Sequence, residues 1–120
     1  MRDFRKLDIW NNAIDIVKQI YKLCDYLPTE EKFGLRSQIT RAAISVPSNI
    51  AEGCSRNSEI EFKRFLEIAL GSLFEVQTQL ILIVELEYIN AINTKEVFEL
   101  MEKEAKMINS LAKRIKETNS

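Results

Sequence analysis

Apolar residues recur at spacings of three and four in four separate stretches of the chain, the period of amphipathic helices. In the first stretch Trp10, Ile14, Val17, Tyr21 and Cys24 form one stripe, and Ala13, Ile16, Ile20 and Leu23 form a second beside it. Two adjoining stripes make a wide apolar face, so the spacing predicts a helix from about Asp8 to Tyr26 that packs on more than one neighbour. Pro28 stops it, and Thr29 with Glu30 and Glu31 supplies a cap and helix-start carboxylates for the next. The second helix is predicted from about Glu31 to Gly53, with Leu35, Ile39, Ala42, Val46 and Ile50 as its core stripe. Pro47 falls inside it, where a proline removes one backbone hydrogen bond and crowds the carbonyl of Ala43, at a cost of about 3 kcal/mol. The apolar period continues in phase through Val46 and Ile50, so one helix kinked at Pro47 is expected; the alternative is two short helices. Small residues crowd this segment, and such a surface admits large side chains from a partner helix.

Ser58 and Glu61 form an S-x-x-E capping box that opens a third helix, predicted to reach about Tyr88. Phe62, Phe65, Leu66, Ala69, Leu73, Val76, Leu80 and Ile83 follow the helical period, but Leu70, Phe74, Ile81, Leu82 and Val84 lie outside that stripe. A helix apolar over most of its circumference needs cover on most sides. Some 30 residues would also span about 45 Å, beyond the ~28 Å of the first helix. The run Leu80, Ile81, Leu82 and Val84 is therefore the predicted self-association surface, against the plainer reading of a well-buried core helix. Asn93 and Thr94 are expected to cap a fourth helix from about Lys95 to Lys116, striped by Val97, Met101, Ile108, Leu111 and Ile115. Short connections favour antiparallel neighbours, so the fold class is all-α: an up-down-up-down four-helix bundle, one domain over residues 1–120.

Composition sharpens this picture. A chain of 120 residues can bury one sufficient core, and three glycines with two prolines are too few for the turns of an all-β domain. The 46% hydrophobic and 29% charged content excludes a disordered chain. The first dozen residues are charged throughout and Leu80 to Val84 is the longest apolar run, so neither a signal peptide nor a membrane crossing is expected and a cytoplasmic address follows. With no histidine in the chain, Ser-His-Asp and Cys-His nucleophiles and Glu-x-x-His di-iron sites are impossible. Cys24 and Cys54 have no CxxC spacing and read as small buried hydrophobes at opposite poles. The glycines at 34, 53 and 71 are isolated, so no phosphate loop is present. Glu52 and Glu67 are paired-carboxylate candidates only because any bundle with 18 acidic residues brings some together. No catalytic residue, cofactor, metal or small-molecule substrate is indicated, and an enzyme is not expected.

The stretch LRSQITRAAISVPSNIAEGCSRNS, Leu35 to Ser58, resembles the signature of the four-helix-bundle proteins encoded in intervening sequences of bacterial large-subunit ribosomal RNA genes. Its centre is Pro47-Ser48-Asn49-Ile50-Ala51-Glu52-Gly53, and FRKLDIWNNAIDIVKQIY and FKRFLEIALGSLFEVQTQLILIVELEYI are similar on either side. The resemblance implies a bundle that assembles as a homopentameric ring with no established enzymatic activity. The accessory variability protein of diversity-generating retroelements is similar in architecture, contacts nucleic acid and a reverse transcriptase, and is strongly basic. This chain, at net charge −1, departs from it in charge.

Within the signature, Ser48, Asn49 and Glu52 read either as a binding patch or, the favoured reading, as side chains that satisfy backbone beside Pro47 or bond a neighbouring helix or protomer. Arg36 and Arg41 are expected to pair with Glu67, Glu75, Glu85 and Glu87. Folded up and down, the chain start, the turn after Gly53 and the chain end share one pole. Residues 1–10, 52–67 and 110–120 hold nine bases, among them Arg56, Lys63, Arg64, Lys113, Arg114 and Lys116, against seven acids, for a net +2. The opposite pole, residues 22–36 and 83–100, holds four bases and seven acids, for −3. A ring of aligned protomers would multiply this difference into a basic rim able to hold RNA or DNA weakly through Arg56, Lys63, Arg64, Lys113 and Arg114. The plainer reading is an ordinary solvated surface whose charges complement helix dipoles. Two functions therefore stand: a self-assembling interaction scaffold, and an accessory that binds nucleic acid.

Overall fold

A computed structural model describes residues 1–115. Among the described residues there are four α-helices: α1, Asp8–Leu23; α2, Leu35–Cys54; α3, Glu59–Glu85; and α4, Lys95–Arg114. Short 3-10 turns lie at Phe4–Lys6, Cys24–Tyr26, Thr29–Glu31 and Ala91–Thr94, and no strand occurs among the described residues. The interior stripes explain the helices. Along α3 the buried residues Phe62, Leu66, Ala69, Leu73, Val76, Leu80 and Ile83 alternate by four and three, and they meet Ile39, Ala42, Ala43, Val46 and Ile50 of α2 in one core. In α1 the buried stripe is Ile9, Ala13, Ile16 and Ile20, while Trp10 and Val17 pack at its edge and Tyr21 is exposed. The line expected to lead is therefore the flank of the one that does.

Each helix packs on its neighbours along the chain, and α1 closes on α4. The residues that meet run in opposite directions. On α2 and α3, Gln38 faces Gln79, Ser45 bonds Ser72 and Gly53 lies on Phe65. Arg36 at the start of α2 reaches Cys24 after α1, and Lys63 and Glu67 of α3 border the same groove as Asn109 and Lys113 of α4.

Helix ends depart from the sequence reading in instructive ways. Thr29 caps nothing through its side chain; Thr29–Glu31 is a separate turn, and α2 starts only after Gly34. The Glu31 carboxylate takes up the cap instead, with Oε1 accepting from the Leu35 amide at 3.1 Å, a negative charge at the positive end of the helix dipole. Ser58 accepts from the Glu61 amide at 3.3 Å, the expected cap on α3. That helix stops at Glu85 rather than Tyr88 because Glu87 adopts φ 66. The Tyr88 amide then returns to Ile83 and the Glu87 amide to Val84, a Schellman closure that uses glutamate where glycine is usual. Before α4 it is Asn90 that caps, accepting from the Ile92 amide, while Thr94 donates to the Ala91 carbonyl and Asn93 does not cap. The predicted last residue of α4, Lys116, lies outside the described residues.

Pro47 does not divide the second helix, which runs unbroken from Leu35 to Cys54 with the proline buried. α2 and α3 approach closely at Gly53. A Cβ there would stand 2.8 Å from Phe65 Cβ and 3.2 Å from the Phe62 ring. Replacing Gly53→Ala should therefore lower stability by about 1–3 kcal/mol, the usual cost of overpacking. A urea midpoint unchanged from the parent would refute so close a contact.

Candidate functional site

The signature segment is the side of α2 that seats α3. Pro47, Ile50 and Gly53 are buried, and Ser48 points to solvent. Asn49 is occupied within its own helix, its Nδ2 donating to the Ser45 carbonyl at 2.8 Å and to Ser45 Oγ at 2.9 Å. Ser45 Oγ in turn shares a 2.8 Å hydrogen bond with Ser72 of α3. Glu52 pairs with Arg56 one turn on, at 3.4 Å. Among the described residues these side chains close a polar relay between two helices. The carbonyl that Asn49 serves is Ser45's, not the one freed at Ala43.

The predicted basic rim separates into three places. Arg56 pairs with Glu52 and lies 4.9 Å above the Phe65 ring, and Arg64 pairs with Glu61 at 3.9 Å. Lys63 and Lys113 border one groove between α3 and α4 together with Glu67. Arg114 stands on the other side of α4, where Lys6, Lys106 and Asp8 line a groove of about 450 Å³ against α1. Arg2 is committed elsewhere, in a two-pronged pair with Glu59 at 2.6 and 2.8 Å that clamps the chain start over the Phe62 ring. That contact holds the Glu59 carboxyl below its ordinary range.

The predicted self-association surface also divides. Leu80 is fully buried in the protomer's own core, because it falls in phase with Val76 and Ile83, and so cannot meet a partner. Ile81 and Leu82 are exposed and Val84 is half-buried. Ile60, Ile68 and Phe74 extend this exposed apolar set along α3, and Ile44 adds to it from α2. The two arginines expected to pair with α3 do not. Arg36 donates to the Cys24 carbonyl at 3.0 Å and approaches Asp25 at 3.8 Å. Arg41 and Glu75 border one groove without an ion pair.

A family model for the 23S rRNA-intervening sequence protein matches residues 5–110. The chain belongs to this family. Among solved structures, a protein of unknown function from the S23 ribosomal protein family of Bacteroides thetaiotaomicron is 26% identical, with a TM-score of 0.80 over 88% of this chain and 98% of that one. No curated protein matches the chain. The family match covers the signature, the first three helices and α4 as far as Ser110, and so stops short of Lys113 and Arg114, two of the predicted rim residues.

One buried polar pair in this member of the family went unread in the sequence. Glu104 of α4 is 0% exposed, with Oε1 accepting from Asn12 Nδ2 of α1 at 3.0 Å, and Asn12 also donates to the Leu100 carbonyl. Glu104 Oε2 has no hydrogen-bond partner among the described residues. The signal was present, since Glu104 sits where the stripe Val97, Met101, Ile108 calls for an apolar residue. Burial pushes its carboxyl up to about 7, against the opposing pulls of the Asn12 hydrogen bond and Lys103. A carboxyl whose proton is held more tightly in the fold than in the unfolded chain favours folding at low pH and loses that advantage as pH rises towards 7. Glu104→Gln should therefore match the parent at pH 4, below the ordinary carboxyl range, and exceed it at pH 8, by up to about 3 kcal/mol. Denaturant melts at the two pH values check this, and an equal difference at both would contradict it.

Proposed function

We propose that this protein is a non-enzymatic, self-assembling helical scaffold, most simply the homopentameric ring that its family resemblance implies. The observation that carries the reading is the unequal dress of the four helices. The solvent faces of α1 and α4 are overwhelmingly polar, whereas α2 and α3 expose Ile44, Ile60, Ile68, Phe74, Ile81 and Leu82. Large apolar side chains exposed along one pair of helices and scarce on the other favour that side as a site of association. Viewed alone, α3 is long and apolar enough to cross a bilayer. Glu67, Glu75 and Glu85 on its outer side argue against lipid, where each carboxylate would cost about 2.5–3.5 kcal/mol near the bilayer centre. A partner protein surface can supply cations to meet them.

On this reading light scattering at micromolar concentration gives a mass near five times the 13.9 kDa protomer. Leu82→Glu lowers the mass while leaving the helical signal intact. A parent at protomer mass would refute the proposal.

A second reading, weak binding of RNA or DNA, draws on the meeting of Lys6, Lys106 and Arg114 around one groove. Opposing it, Arg56 and Arg64 are already paired with carboxylates. Titration of a labelled structured RNA at low and moderate salt separates the readings. Binding requires an affinity at low salt that falls as salt rises and is lost in the double variant Lys106→Glu, Arg114→Glu; no affinity at low salt leaves the scaffold alone.

A further inference from the structure

Two complementary apolar features occupy the same pole of the bundle. Phe33, in the turn ahead of α2, is 88% exposed. At the end of α3, an open groove of about 560 Å³ is walled by Ile81, Val84, Ala91, Ile92 and Phe98. A hydrogen bond from the Tyr88 hydroxyl to Glu31 Oε2, 3.2 Å, ties the two turns together at this pole. They lie on different flanks of α3. Phe33 borders the groove between α2 and α3 with Ser37, Arg41 and Glu75, whereas the apolar groove lies between α3 and α4. The ring therefore stands away from its own molecule's groove.

We infer that Phe33 of one copy seats in the Ile81–Ile92–Phe98 groove of the next. This rests on the self-association reading and names its contact. A protrusion and a recess on different flanks make a head-to-tail interface, which identical copies repeat into a ring where the rotation between them closes. The flanks continue the contact. Residues three or four places from the α2-facing Phe65, Ser72 and Gln79 carry Ile68 and Leu82 on the Phe33 side, and Phe74 precedes Ile81 by two turns on the groove side. The charges that this orientation brings together are Lys32 and Glu85, while Arg41 keeps Glu75 beside it in its own groove. Lys32, 5.5 Å from the Phe33 ring, and Arg41 make no ion pair among the described residues. Glu85 on the groove wall is likewise unpaired, beside Lys95.

The test uses the full chain with Phe33→Glu or Ile92→Glu, alone and mixed, read by light scattering and circular dichroism. Phe33 and Ile92, 88% and 76% exposed, can accept a charge without unfolding the protomer, and Phe33→Ser and Ile92→Ser replace either variant that loses helical signal. The parent should assemble and each variant alone should fall to the 13.9 kDa protomer. Their equimolar mixture should recover a species of twice that mass, because one chain keeps its groove and the other its phenyl ring. An assembled parent whose variants keep the parent mass, or whose mixture stays at protomer mass, overturns the inference and leaves association to another surface. A parent that is itself a protomer overturns the self-association reading as well.

Discussion

The close seating of α3 on α2 is the constraint from which the rest of this molecule follows. Gly53 leaves room for Phe62 and Phe65, Ala42 and Ala43 lower the surface of α2 further along, and Ser45 joins Ser72 across the seam. With no large side chains to hold the axes apart, dispersion contacts and apolar burial are concentrated along this pair. Pro47 sits inside that seam. The amide it lacks is tolerated because the packing on either side of it keeps the helix in register, and Asn49 turns back on Ser45 rather than outward.

That choice of neighbour decides what is left over. A helix of 27 residues with apolar side chains around much of its circumference can show only part of itself to three partners in one small bundle. Its heptad-like inner stripe goes to the core, and Ile60, Ile68, Phe74, Ile81 and Leu82 remain outside. α1 and α4 have no comparable remainder, since their apolar residues fall almost wholly on the inner side. Among the helices the apolar exterior is thus concentrated on α2 and α3, and the scaffold proposal grows from that asymmetry. The α1–α4 seam carries the opposite feature, an Asn12–Glu104 pair buried between helices. A carboxyl in such a place trades stability at neutral pH for a specific alignment, because the Asn12 donor fixes how the two helices face.

Much of this was legible in the order of residues. Helicity, the number of helices, the Ser58 cap and the core stripes of α2, α3 and α4 are local properties, set by a period of three and four and by hydrogen bonds within a few residues of each other. The family signature was legible too, although what it builds is a packing seam and not an open site. Places where a local rule had competitors were not legible. Glu31 rather than Thr29 serves the start of α2, Glu87 takes a left-handed turn usually given to glycine, and Leu23 ends α1 before Tyr26.

Charge and exposure were decided by the tertiary structure. A count of bases near one pole could not say that Arg56 would lie on Phe65, that Arg64 would meet Glu61, or that Arg114 would turn to a different side of α4 from Lys113. Nor could the run from Leu80 to Val84 announce that Leu80 belongs to the core and Ile81 and Leu82 to the outside, because a turn of 100° per residue separates neighbours that look alike in sequence. By itself the sequence determined which segments are helical and which residues are apolar enough to seek cover. Which of them find that cover inside one chain depends on the direction each helix face takes relative to its neighbours. Only the packed bundle sets that direction.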